Sequence, residues 1–155
     1  MRIPRRSVLV ALILCQSIAY GYPMSQHARG TFDVAIAPVG TPDVGEGSAL
    51  GTMTLSKTFH GVVDGTSKGT MLTAGSTGTP GSAAYVAVER FQGTVDGRKG
   101  GFALVHRGVM SARGQDLVIT IVPDSGSGEL KGIAGSLGIE VKDGKHFYDL
   151  EYTLP

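Results

Sequence analysis

With 155 residues the chain has length for one ordinary domain. Charged residues make up 17%, Gly numbers 24, Trp is absent and the formal net charge is +1, a balance that excludes coiled coils and helix bundles, which are rich in Ala, Glu, Lys and Leu. Val, Ile, Leu, Phe and Tyr recur along the whole length in alternating runs, which argues against disorder.

The first element is an address. Arg2, Arg5 and Arg6 form a basic start, and residues 7–19 are mostly apolar, a stretch of about 13 residues that is too short to span a bilayer. It ends in Ser17-Ile18-Ala19, with small residues where a signal peptidase reads. The expectation is a cleavable signal peptide over 1–19, cut between Ala19 and Tyr20, then a short linker over 20–26 and a β-barrel domain over 27–155, exported to the periplasm or secreted. Arg5-Arg6-Ser7 fits a twin-arginine pattern only loosely, so both export routes stay open. A lipoprotein box needs a small residue before its Cys, and Leu14 precedes Cys15.

Three of the 14 basic residues fall in that leader and none of the 13 acids, so the remainder of about 136 residues carries about −2. A slightly acidic domain offers no basic surface for nucleic acid, and none is expected as a partner. Cys15, the one cysteine, also leaves, which excludes thiol catalysis and thiolate metal sites. No membrane association is expected after cleavage, and no cofactor.

Beyond the leader, period-two alternation bounded by Gly, Asp, Ser and Pro predicts eight strands, over 30–37, 50–62, 66–74, 83–95, 101–113, 116–122, 132–141 and 146–154. Residues 37–51 and 75–81 read as the longest loops. The pattern F-x-G-x-V-D-G occurs twice, over 59–65 and 91–97, and each copy ends in an Asp-Gly suited to a tight hairpin turn. Two long hairpins of one meander follow, offset by 32 residues.

Side-chain direction then locates candidate site residues. In the second hairpin Tyr85, Ala87, Phe91 and Val95 share one face, and Phe102, Leu104 and Met110 share a face of the returning strand. A turn between Gly97 and Arg98 makes paired numbers sum to 195, opposing Glu89 to His106 and Phe91 to Leu104 on the apolar side. By the 32-residue offset Lys57 takes the place of Glu89 in the first hairpin. A carboxylate, an imidazole and an ammonium so converge on the inside, where ionisable groups are costly unless paired or wet. One reading is a structural network that sets strand register. The other is a ligand pocket in which Lys57, Glu89 and His106, with Tyr85 and Phe91, are the ligand-binding candidates.

Other motifs are weaker. Gly65-Thr66-Ser67-Lys68-Gly69 matches the nucleophile-elbow pattern G-x-S-x-G, but no helix follows it, so the match reads as chance. The Gly-rich run over 126–132 lacks the spacing and helix of a phosphate loop. His27, His60, His106 and His146 are too scattered for a zinc motif, and no metal is expected.

From His27 to Leu154 the chain resembles the bacterial family known as domain of unknown function 3224. The resemblance rests on Gly30-Thr31-Phe32-Asp33-Val34, Lys57-Thr58-Phe59-His60-Gly61, Tyr85-Val86-Ala87-Val88-Glu89-Arg90, Gly97-Arg98-Lys99-Gly100-Gly101-Phe102 with Leu104-Val105-His106, and Gly126-Ser127-Gly128-Glu129-Leu130 with Gly132. The resemblance implies an all-β fold, a closed eight-stranded antiparallel barrel similar to that of allene oxide cyclase or a lipocalin. It implies no activity. A barrel of this size can enclose one small apolar or amphipathic ligand, a hydrophobic carboxylate being one example. An isomerase or cyclase resembling allene oxide cyclase, with Glu89 as acid or base, and a non-catalytic protein that associates with its own copies through the barrel faces are the alternatives.

Overall fold

A computed structural model describes residues 24–155; the expected signal peptide and most of the linker lie outside the described residues. The chain forms β1 (Gln26–Val44), β2 (Ser48–Gly61), β3 (Val63–Ser76), β4 (Ala83–Val95), β5 (Arg98–Ser111), β6 (Gly114–Ile121), the two-residue β7 (Ser127–Gly128), β8 (Ala134–Lys142) and β9 (Lys145–Thr153). All pairings are antiparallel, and β4 pairing with β5 closes β1–β6, β8 and β9 into an eight-stranded barrel. Short β7 pairs with one end of β5 outside that hoop.

The eight expected strands all form, and their differences from expectation have local causes. Strand β1 runs to Val44 through residues expected as loop, and its hairpin with β2 continues past an irregularity between Val39 and Asp43. Its other neighbour, β9, reaches only Phe32. Beyond that point β1 has a free edge, which needs no N–H from Pro38 or Pro42. In the first hairpin Asp64-Gly65 is not the turn: both residues lie inside β3, and the chain reverses at Gly61-Val62. In the second hairpin the turn is Asp96-Gly97, whose φ values of 51° and 76° are the positive pair that a two-residue I′ turn requires. Paired numbers there sum to 193, so Phe91 faces Phe102 and Glu89 faces Leu104, two positions from the expected register.

The two ends of the barrel differ. At one end Phe59, Phe91, Phe102, Leu104, Leu150 and Tyr148 fill the interior. Phe91 meets Phe59 edge-on at 5.6 Å and lies 5.1 Å from Phe102 between ring centroids. The Tyr148 hydroxyl accepts from the Val63 N–H at 2.9 Å, so this inward phenol is satisfied. Leu130 and Ile133, from the loop after β7, plug that end. The loop is held to β5 by mutual bonds: Lys99 N–H donates to the Glu129 carboxylate, and Glu129 N–H to the Lys99 carbonyl, both at 2.8 Å. Toward the other end a smaller cluster of Leu55, Met71 and Ala87, flanked by Met53 and Tyr85, lines the interior and leaves it open. The hoop is thinnest between β6 and β8, where Thr120 and Ser136 are the one registered pair.

Candidate functional site

Where the packed half meets the open half, four adjacent strands each send one polar side chain inward. Lys57 comes from β2, Ser67 from β3, Glu89 from β4 and His106 from β5, with exposures of 6%, 2%, 2% and 3%. Period-two alternation places them there: Lys57, Glu89 and His106 each share a face with an apolar residue two positions away, and Ser67 with Val63 and Met71 four positions away. Lys57 pairs with Ser67 across β2 and β3. Glu89 sits opposite Gly69, whose missing side chain lets the carboxylate lean along β3; a Cβ on Gly69 would lie 2.5 Å from the Val88 carbonyl. Gly108 does the same for Tyr85, whose ring occupies the space a Gly108 side chain would need.

Glu89 is the centre of the cluster. Its Oε2 accepts from Lys57 Nζ at 2.7 Å and lies 2.8 Å from His106 Nε2, while Oε1 accepts from the Ser67 hydroxyl. The imidazole approach is close, yet the ring N–H is not aimed at the oxygen, so Nε2 has no well-formed hydrogen bond. Burial pushes the Glu89 carboxyl up, but His106, Lys57 and Ser67 together outweigh burial and hold it at about 2. Lys57 Nζ also lies 5.4 Å and 5.9 Å from the Phe32 and Phe59 ring centroids. Burial, and then the Glu89 charge, push the Tyr85 phenol up, which keeps it a neutral donor.

Directly above this cluster is a cavity of about 230 Å³. Lys57 and His106 reach its surface together with Phe32, Leu55, Leu117 and Tyr85; Glu89 lies beneath. A second chamber of about 480 Å³ adjoins it toward the open end, with Ile36, Met71 and Tyr85 lining both and Met53 and Met110 among its walls. The larger hollow of about 640 Å³ is an open furrow outside the barrel, between β1, β8 and β9. Two of its charged residues pair with each other, Arg29 Nε contacting Asp149 at 2.9 Å, and Asp149 also meets His27 Nδ1 at 2.8 Å, which leaves Glu140 as a single carboxylate on its wall rather than a convergent set of groups.

Of the five residues expected at the site, the structure brings Lys57, Glu89, His106 and Tyr85 together. Phe91 is separated from them: it is one layer deeper on β4, packed between Phe59 and Phe102 at 1% exposure. The two-residue step from Glu89 keeps it on the inner face but moves it into the filled half. Ser67 was missed, and the cause is the first hairpin turn: centred on Asp64-Gly65, that turn cannot pair Lys57 with Ser67. Ser67 is a mid-strand residue bonded to a carboxylate, which is not the geometry of a nucleophile elbow. Gln115 and His146 at the cavity wall were also missed. His60 contacts Asp33 on the outside, and among the described residues no His, Asp or Glu cluster could hold a metal ion.

A closed eight-stranded β-barrel, filled at one end and hollow above a buried Lys-Glu-His-Ser cluster at the other, is the class of protein that these features define. The family profile described as "Protein of unknown function (DUF3224)" matches residues 28–152, and the chain belongs to that family. It is similar to a DUF3224-family protein of unknown function from Shewanella oneidensis MR-1, with a crystal structure at 38% identity and a TM-score of 0.79. That match covers 85% of this chain and 99% of the other. No curated protein matches the chain.

Proposed function

We propose that the protein is an exported binding module that takes a small apolar or amphipathic ligand into the open half of its barrel. The observation that carries this reading is the hollow itself. An apolar cavity whose floor holds two buried polar side chains, Lys57 and His106, has the composition of a ligand site, few polar groups in a mostly apolar wall. A barrel needing only stability would be filled at both ends, because each unfilled volume forfeits packing energy.

The isomerase reading is less well supported. A carboxyl held at about 2 is ionised at neutral pH and has no proton to donate, and it is a weak base, so Glu89 is poorly suited to acid–base work in the unliganded protein.

The neutral dye N-phenyl-1-naphthylamine tests the binding reading, since its fluorescence rises in apolar surroundings. The protein should bind it with saturation. Leu117→Trp, which puts an indole into the cavity from β6, should weaken binding at least tenfold while the strand signal in circular dichroism is kept. Absence of dye binding by the folded protein, or full binding by the variant, would overturn the proposal.

A further inference from the structure

The floor of the cavity says what kind of head group it accepts. Glu89 is saturated: both oxygens are engaged and the side chain does not reach the cavity surface. Lys57 is not. An ammonium carries three N–H donors, and the bond to Glu89 is the one hydrogen bond it makes among the described residues. The remaining donor capacity lies at the edge of a cavity whose other nearby groups are the Phe32 ring, Leu55 and the His106 imidazole. An acceptor on the guest would complete it.

The charge of that acceptor is constrained as well. Lys57 is already neutralised by Glu89, and neither Lys nor Arg other than Lys57 lines the cavity. A guest carboxylate on the same ammonium would sit within about 6 Å of the Glu89 carboxylate, two like charges sharing one buried ammonium against a mostly apolar wall. A carbonyl oxygen accepts the same hydrogen bond without that repulsion. We propose, on the basis of the binding reading above, that the ligand is a neutral carbonyl compound with an apolar tail, its oxygen on Lys57 Nζ and its tail along Leu55, Met71 and Tyr85 into the second chamber. Within the small apolar or amphipathic ligands expected from the sequence, this favours a neutral head over the hydrophobic carboxylate that served as one example.

Methyl decanoate and decanoate separate the two, being the same chain with and without the charge. Displacement of N-phenyl-1-naphthylamine by each is measured at the same pH and ionic strength. The ester should displace the dye at a concentration at least tenfold lower than decanoate. Equal or tighter binding of decanoate would overturn the neutral-head inference and leave the binding reading standing, whereas a protein that takes up no dye would overturn the binding reading itself.

The role of Lys57 has its own arm. The double variant Lys57→Met with Glu89→Gln removes the donor without leaving a buried charge. It should lose at least fivefold more in ester affinity than in dye affinity; an ester loss no greater than the dye loss in the folded variant overturns the assignment. Infrared spectra of ester labelled with carbon-13 at the carbonyl give a readout on the unaltered protein: on binding, the carbonyl band should move to lower wavenumber relative to its position in an alkane. An unshifted band in bound ester would overturn the assignment whether or not the variant folds.

Discussion

Glu89 ties three strands to a fourth through a single carboxylate, and its ionisation is therefore coupled to folding. Its carboxyl is held at about 2 against an ordinary 4.5, which is the depressed case: the stabilisation is complete above about pH 4.5 and disappears as pH falls through the folded value. A shift of that size corresponds to roughly 3 kcal/mol. Urea midpoints should hold steady above about pH 5 and then fall towards pH 2, and that part of the decline should be missing in Glu89→Gln. At neutral pH the same variant strands the Lys57 ammonium in the interior and should cost about 3–5 kcal/mol in urea unfolding, most of it recovered when Lys57→Met is added. A Glu89→Gln protein as stable as the parent would show that the network holds nothing. The convergence of Lys57, Glu89 and His106 was legible from the sequence because it needs only parity: register sums of 195 and 193 place the same residues on the same face. Ser67 depends on parity too, but a reversal at Asp64-Gly65 gives the wrong parity for the first hairpin and turns Ser67 outward, and so it was not legible.

Among the elements, the long hairpins were readable because alternation extends over whole strands, while their turns were readable only where the chemistry was local. Asp96-Gly97 reverses the chain as a two-residue turn. Asp64-Gly65 carries the same dipeptide and stays in the ladder, with Gly65 opposite Phe59 on one side and Gly93 on the other. Pairing on both sides overrode the turn preference, and no single strand's sequence reports that. The extension of β1 to Val44 was hidden for a related reason, since Pro38 and Pro42 read as loop unless the strand is known to have an unpaired edge. Close approach between β3 and β4 gives this scale its test. Gly69→Ala would set a methyl 2.5 Å from the Val88 carbonyl and 3.0 Å from Glu89 Cα, forcing the strands apart where Ser67 meets Glu89. It should cost about 1–3 kcal/mol in urea unfolding. Gly78→Ala, in the loop after β3 with nothing within 4 Å, should change stability by less than about 0.5 kcal/mol.

For the whole molecule, eight strands in a meander were legible from the alternation and their closure into a barrel was implied by the family resemblance, but the division into a filled and an open half was not legible, because that depends on which strands outrun their neighbours and on a loop that folds back to plug one end. The hoop is also unevenly fastened. Strands β3 and β4 pair continuously from Val63 opposite Val95 to Gly75 opposite Ala83, whereas β6 meets β8 in register only at Thr120 and Ser136. Hydrogen exchange should follow that difference, with amides over 114–121 and 134–142 exchanging faster than those over 63–75 and 83–95. Uniform protection around the barrel would contradict it. The thioethers of Met53, Met71 and Met110 line the outer chamber, and such side chains are unbranched, polarizable and adaptable in shape. In the proposed complex the wall would mould itself to tails of different outline, while the fixed charges beneath it would admit only one kind of head: the barrel would be tolerant of shape and exacting about polarity.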